Sequence, residues 1–234
     1  MMTEMPAVTV LMAVHNGDRY LRQAIESVIW QDISNLSVVI VDDGSTDETA
    51  MIVSEYQGTK HGTTIRSYRL PYNLGLTAAL QYGFDRCAGD YIARQDADDI
   101  SLHGRLAAQM VYLERYRQVV AVGSRVRVID EGGSPIRCGS RMRWLPRVQL
   151  LVGRNPVVHG SLIMRRTAVE QVGGYRNVFE KSQDLDLLLR LAWVGRIKIL
   201  PQALYGLRVH ADRISVVNRR QQKAFAELAR WANR

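Results

Sequence analysis

Between Val8 and Arg94, short apolar runs alternate with stretches whose apolar residues recur at helical spacing, and this alternation constrains the fold more than any other feature of the chain. The run "VTVLMAV" at Val8 to Val14 is continuously apolar and stops at the turn-forming His15-Asn16-Gly17, as expected of a strand covered on both faces. Asp18 can open a helix through about Gln31, with Leu21, Ala24, Ile25, Val28 and Ile29 on one face. Ser37 to Val41, Thr64 to Leu70 and Tyr91 to Arg94 continue the strands, and Thr46 to Tyr56 and Thr77 to Cys87 continue the helices. The β-α-β-α-β-α-β order predicts an α/β fold, a mostly parallel central sheet with helices on both faces. Further on, the pattern predicts a helix over Arg105 to Tyr116, a strand near Val119 to Val122 and a hairpin or loop from Glu131 to Ser140. A helix over Gln183 to Trp193 follows an irregular stretch, and a basic amphipathic helix runs from about Arg219 to Trp231.

At 234 residues the chain fits one domain with a small C-terminal addition, divided at 1–215 and 216–234. Cys87 and Cys138 stand far apart in no ligand spacing, so neither a disulfide framework nor a zinc site is indicated. The first residues carry an acid and no cationic start, and no apolar run approaches the ~20 residues of a membrane span. A soluble, cytoplasmic protein is expected, with the inner face of a membrane as its other setting. Residues 1–100 hold seven Lys/Arg against fourteen Asp/Glu, a charge of −7, while residues 101–234 hold twenty-four against nine, +15. An acidic half suited to a metal and a basic half suited to an anionic partner follow. The basic residues are scattered and carry no nucleic-acid-binding signature, so no nucleic-acid partner is expected. Arg219, Arg220, Lys223 and Arg230 beside Phe225, Leu228 and Trp231 resemble an interfacial helix, which makes peripheral membrane association an expectation alongside simple packing.

Two strands end in acids. In "YIARQDADD", Asp96 and Asp98 are two apart on a turning backbone and can aim at one hard cation, Mg²⁺ or Mn²⁺, or at a cation and a sugar hydroxyl. The alternative is one acid capping the next helix and the others solvated. An EF-hand fits worse, because Ser101 and Ala107 stand where Gly and Glu are required. In "VIVDDGSTDET", Asp42 and Asp43 repel phosphate but supply the acceptor that an imide N–H such as that of uracil needs; a plain turn is the other reading. Ligands of parallel sheets bind outside the carboxyl ends of the strands, where both clusters fall.

Taken in order, "PAVTVLMAVHNGDRYLRQAIESVIWQ" (Pro6 to Gln31), "VVIVDDGSTDET" (Val38 to Thr49), "NLGLTAAL" (Asn73 to Leu80), "GDYIARQDADD" (Gly89 to Asp99), "NPVVHGSLIMRR" (Asn155 to Arg166), "SQDLDLLLRLA" (Ser182 to Ala192) and "LRVHADRIS" (Leu207 to Ser215) resemble the family 2 glycosyltransferases of the GT-A fold. The resemblance implies a Rossmann-like domain over 1–215, with a nucleotide-sugar-binding half (1–100) and an acceptor and catalytic half (101–215). It implies a donor site formed by Ala13, His15, Asn16, Asp42, Asp43, Asn73, Gly75, Arg94, Asp96 and Ala97, with Asp42 and Asp43 at the base and Asp96 at the sugar–ribose side. Asp98 falls at the metal position, His210 at a metal or diphosphate contact with Arg208 beside it, and Asp184 at the general base. Gln183 replaces the usual glutamate, and Gly160 and His103 stand where proline is common. His159 is either a packed residue or a ligand; Cys87 reads as core, and Arg165 with Arg166 as a solvated charge pair.

The implied reaction moves a sugar, with inversion, from a nucleotide diphosphate donor, UDP-linked by the base argument, to a sugar or lipid-linked acceptor hydroxyl, as in polysaccharide or glycoconjugate synthesis. Mn²⁺ or Mg²⁺ would stabilise the leaving diphosphate. A nucleotidyltransferase should carry a Gly-rich phosphate loop after the first strand, and a dinucleotide-dependent dehydrogenase a GxGxxG; this chain has Ala13-Val14-His15-Asn16-Gly17. A non-catalytic sugar-nucleotide-binding protein is the reading from outside enzymology.

Overall fold

The computed structural model describes residues 7–138, 157–210 and 219–233. Strand β1 (Val8–Val14) is buried along its whole length, as its continuous apolarity requires. Around it, β2 (Leu36–Asp42), β4 (Thr63–Arg69) and β5 (Tyr91–Asp96) pair in parallel, in the order β4-β2-β1-β5. The connecting helices are α1 (Asp18–Ile29), α2 (Thr49–Tyr56) and α3 (Leu76–Phe84). A three-residue strand, β3 (Gly58–Lys60), closes one edge antiparallel to β4 and was not visible in the apolar pattern because every residue in it is exposed.

The second half adds β6 (Ile100–Ser101), α4 (Arg105–Arg115), β7 (Val119–Ile129), β8 (Pro135–Cys138), β9 (Ile163–Arg165), α5 (Arg166–Gln171), α6 (Gln183–Val194), β10 (Arg196–Arg208) and α7 (Arg219–Ala232). The full sheet runs β3-β4-β2-β1-β5-β9-β7-β10-β6, with β8 forming a hairpin on β7. β9 bridges the halves, antiparallel to both β5 and β7. β7 extends seven residues past the expected Val122. β10, thirteen residues long, fell in the stretch read as irregular. Its sequence is interrupted by the exposed Pro201 and Gln202, and the structure accommodates them as register shifts against β7 between Leu200 and Ala203 and between Ala203 and Tyr205.

Alternate residues of β1 face opposite layers. Leu11 and Ala13 join a core with Leu80 and Phe84 of α3, Leu185 and Leu188 of α6, and Ala229 of α7. Val10, Met12 and Val14 join another with Leu21 and Ile25 of α1, Ile52 of α2, and Leu106 and Met110 of α4. Helices thus cover both faces. α3 lies close on the sheet because Gly83 has no side chain: a Cβ there would sit 2.4 Å from the Leu11 Cδ1. The amphipathic α7 turns Phe225 and Ala229 into the core, so the expected Phe225-Leu228-Trp231 face is split and only Leu228 and Trp231 remain exposed.

Candidate active site

The strand order sets the site. Val14 is in register with Asp42 and Ala13 with Asp96, so β1, β2 and β5 end together and deliver both acidic clusters to one edge. Asp42 and Asp43 are both buried, and their carboxylates have different surroundings. Asp43 accepts the amides of Leu74 (2.8 Å) and Gly75 (2.9 Å), which fastens the Asn73-Leu74-Gly75 loop to the end of β2. Asp42 Oδ1 accepts the Ser45 amide, while its Oδ2 has no hydrogen-bond partner and lies 3.5 Å from the Arg69 Nε. His15 and Asn16 are exposed beside this pair; the His15 Nδ1 contacts the Asp43 carbonyl at 2.8 Å, and Asn16 Oδ1 accepts the Thr46 amide. Asn73 Oδ1 accepts the Gly75 amide.

At the end of β5, Arg94 is 1% exposed and donates to the carbonyls of Leu11 and Gln95 and, at 2.7 Å, to Asp96 Oδ1. A guanidinium so enclosed orients Asp96 and presents almost no surface of its own. Asp96, Ala97 and Asp98 are partly exposed. Asp98 Oδ2 lies 2.9 Å from the His210 Nε2, joining residues 112 apart in sequence. Arg208, expected at the diphosphate, is fully buried instead. It donates to the carbonyls of Asp98, Asp130 and Glu131 and to Gln23 Oε1, and its backbone amide is held by Asp99 Oδ1. Its role is to set the Asp98 backbone and the approach to His210.

The pair of Asp98 and His210 fits a divalent metal. A carboxylate oxygen and an imidazole nitrogen already converge, and Mn²⁺ accepts both donor types while leaving positions for diphosphate oxygens or water. A ring that ligates through Nε2 carries its proton on Nδ1, and that atom is buried with no hydrogen-bond partner among the described residues. No cluster of three or more His, Cys, Asp or Glu with metal geometry occurs among the described residues, so two protein ligands is the number this site offers there.

Asp184 is the second residue of α6 and lies within its first turn, where the helix dipole favours a carboxylate. The N-cap is Ser182, whose backbone is left-handed (φ 62°) and whose hydroxyl donates to the Gln222 carbonyl. Tyr175, 3% exposed, has its hydroxyl 3.0 Å from the His159 Nε2, and the charges of Asp96 and Asp184 both oppose its ionisation. Burial, reinforced by those charges, raises the Tyr175 pKa above its ordinary value. Burial also depresses His159 to about 3, with Arg94 adding to the effect and Asp96 opposing it. His159 is thus a neutral packed histidine and not a cation.

Two further expectations are revised. Arg165 donates to the carbonyls of Val119 and Leu113 and to the Tyr91 hydroxyl, and Arg166 to the Gly89 carbonyl and to Glu170. They terminate strand backbones and are no solvated pair. Cys87 is core, its thiol pushed up to about 12 by burial. Tyr175, Tyr205 and Arg105 were not anticipated. Tyr205 lies on the unrecognised β10, and nothing in the local pattern marked the other two. Residues 139–156 and 211–218, which include much of the expected acceptor region, lie outside the described residues.

The sequence model of "Glycosyl transferase family 2" matches residues 9–173, more than half the chain. The chain belongs to glycosyltransferase family 2. It is 35% identical over 210 residues to the putative glycosyltransferase EpsE of Bacillus subtilis, covering 88% of this chain and 74% of that protein. It is 30% identical over 217 residues to the amylovoran biosynthesis glycosyltransferase AmsE of Erwinia amylovora, covering 88% and 78%. The fold of this family 2 glycosyltransferase is that of the mannosyltransferase PcManGT from Pyrobaculum calidifontis, solved with GDP-Man and Mn²⁺: the TM-score is 0.74 at 21% identity over 98% of this chain and 64% of that one. It is likewise that of S. aureus TarS 1-349 in complex with UDP-GlcNAc, with a TM-score of 0.73 at 16% identity over 88% and 60%. The chain thus spans less than two thirds of these solved structures. Membership removes the nucleotidyltransferase reading. No helix among the described residues is long and apolar enough to cross a membrane.

Proposed function

We propose that this glycosyltransferase transfers a sugar, with inversion, from a UDP-linked donor to an acceptor hydroxyl, with a divalent metal at the diphosphate. The observation that supports it most directly is the contact between Asp98 and His210 beside Asp96 at the end of the parallel strands. When bound, the metal would offset the charge that builds on the leaving diphosphate. Asp98 and His210 would hold it, and Mn²⁺ suits a mixed oxygen and nitrogen donor set better than Mg²⁺. Asp96, oriented by Arg94, would accept hydroxyls of the ribose or the sugar. Asp43 would act indirectly by holding the loop of Asn73 and Gly75 against the nucleotide. Asp42 Oδ1 is engaged by Ser45, and its buried Oδ2 makes no hydrogen bond but faces the Arg69 guanidinium. With the exposed Arg69 turned away, Oδ2 would be the one acceptor left for the single imide N–H of uracil, whereas guanine presents two adjacent donors; this favours UDP over GDP. Asp184 would take the proton of the acceptor hydroxyl as that oxygen attacks the anomeric carbon and the bond to the diphosphate oxygen breaks.

AmsE and the O-antigen biosynthesis glycosyltransferase WbnJ of Escherichia coli are named for polysaccharide assembly, which supports a sugar or lipid-linked acceptor here. The exposed Leu228 and Trp231 on α7, with the positive charge of the second half, support a peripheral setting at the inner face of a membrane. A thermal-shift screen of UDP-, GDP- and CDP-sugars with Mn²⁺, Mg²⁺ or chelator tests the reading. A donor at a hundred times its Kd should raise the melting temperature by roughly 5–11 °C for a chain of this size, and only with metal. Stabilisation by GDP-sugars alone would replace the donor, and equal shifts in chelator would remove the metal.

A further inference from the structure

We propose that Tyr205 is a positioning residue for Asp96, and that the missing side chain at Gly160 is what admits it. This deepens the donor-site reading above and rests on it for the role of Asp96, though not for the contact itself.

Asp96 is the last residue of β5, and its amide reaches across to the Tyr205 hydroxyl oxygen, 3.1 Å away and 109 residues later in sequence. Tyr205 is fully buried, opposite Ser101 of β6 and Val126 of β7, directly after the last register shift of β10. A regular ladder between Leu200 and Tyr205 would alter where that ring points; the irregularity aims it under the end of β5. Its ring is held from the other side by the buried Arg105 guanidinium, 4.9 Å from the ring centroid. Arg105 also donates to the carbonyls of Arg94 (2.7 Å) and Gly160 (2.8 Å), so one cation ties the strand, the turn and the tyrosine together.

Gly160 completes the arrangement. A Cβ there would stand 2.0 Å from the Tyr205 hydroxyl oxygen, 2.7 Å from its Cζ and 2.6 Å from Asp96 Oδ2. The phenol therefore occupies space that a side chain at 160 would claim, and no other residue type at 160 is compatible with this pose. Asp96 is gripped at two points, Oδ1 by Arg94 and the amide by Tyr205, while Oδ2 faces the space left by the missing side chain at Gly160. Removing the hydroxyl leaves the ring packing in place and frees the Asp96 backbone, so the loss specific to positioning is read in ligand affinity and local exchange, beside the stability cost of one orphaned amide.

The test uses Tyr205→Phe. Hydrogen exchange at the Asp96 amide, followed by mass spectrometry on the 94–99 segment, should quicken by about tenfold, with Tyr91 to Arg94 unchanged. Calorimetric titration with UDP and with GDP in Mn²⁺ should show whichever nucleotide the wild type binds weakened about fivefold to tenfold, while the melting temperature of the free protein falls by roughly 2–12 °C, the range set by one orphaned amide. Gly160→Ala should weaken binding at least as much, and adding Tyr205→Leu to it should recover part of the loss because the clashing ring is gone. Unchanged exchange at Asp96, or wild-type affinity in Tyr205→Phe, would overturn the proposal. A wild type that binds neither nucleotide would instead count against the donor reading, with the exchange measurement still deciding the contact between Tyr205 and Asp96.

Discussion

Asp184 and Asp186 sit two residues apart on α6, and substituting each by asparagine should give opposite results. Asp186 is 1% exposed and accepts from Arg176, from Arg190 and from Asn233, which directly follows α7. Asparagine keeps the shape and one acceptor but removes the charge, leaving the Arg190 side chain, 10% exposed, without a counter-ion. Breaking a buried pair in this way costs about 3–5 kcal/mol. Arg176, at 37% exposure, can recover water, which places the loss near 3 kcal/mol and the fall in melting temperature at roughly 6–12 °C. Asp184 is partly exposed in the first helical turn and is not the cap, so Asp184→Asn should cost far less, its interaction with the helix dipole being worth under about 1 kcal/mol. Its turnover should nevertheless fall by roughly 10² to 10⁴, because an amide cannot take the proton. Circular dichroism melts and initial rates with a donor found in the screen measure both. Near-normal turnover in Asp184→Asn would mean that the base is elsewhere, and a melting temperature within ~2 °C of wild type for Asp186→Asn would show that its ion pairs carry little of the fold.

Asp98→Asn and His210→Ala should each weaken Mn²⁺ binding at least tenfold by calorimetry in the presence of nucleotide; unaltered affinity in both would move the metal off this pair. Asp42→Ala should relax the preference for UDP, whereas Asp43→Ala should lower stability by about 1–3 kcal/mol by orphaning the Leu74 amide, the Gly75 amide keeping Asn73 Oδ1, and urea midpoints beside nucleotide titrations distinguish them. His159 is held unprotonated down to about pH 3 while the unfolded chain binds its proton near 6.5, so its contribution is full above 6.5 and is lost as pH falls toward 3, by at most ~1.4 kcal/mol per unit. His159→Gln should flatten stability between pH 7.5 and 5, and parallel profiles for the two proteins would contradict this. Trp231→Ser should reduce flotation with anionic liposomes; if the wild type does not float, α7 has only its packing role.

The first half of the fold was legible because β1 and β2 are largely apolar runs buried on both sides, β4 alternates buried and exposed residues, and each helix repeats at the period its buried face demands. β10 was not, because its bulges absorb Pro201 and Gln202 and so erase the alternation by which a strand is recognised. The acidic strand ends were visible as chemistry, but their division of labour was not: sequence cannot distinguish a carboxylate holding two amides, as Asp43 does, from one with an unpartnered oxygen, as in Asp42. Arginines misled in the same way. Arg165 reads as solvated and Arg208 as a ligand contact, yet their guanidiniums satisfy backbone carbonyls at the ends of strands and of α4, a need set by tertiary structure that leaves no local mark.

The contact between Asp98 and His210 spans 112 residues and closes only when the last strand is laid beside β7 and β6. The strands that present Asp42, Asp43 and Asp96 are by contrast built from sequential βα units and can assemble from neighbouring segments. During synthesis at about 5–20 residues per second, Asp98 therefore precedes His210 by roughly 6–22 s. A nascent or proteolytically shortened chain would hold a nucleotide cleft without the second metal ligand. The capacity to release a sugar from its diphosphate would thus be withheld until the whole domain has closed, guarding the cell's activated sugars against discharge by unfinished copies.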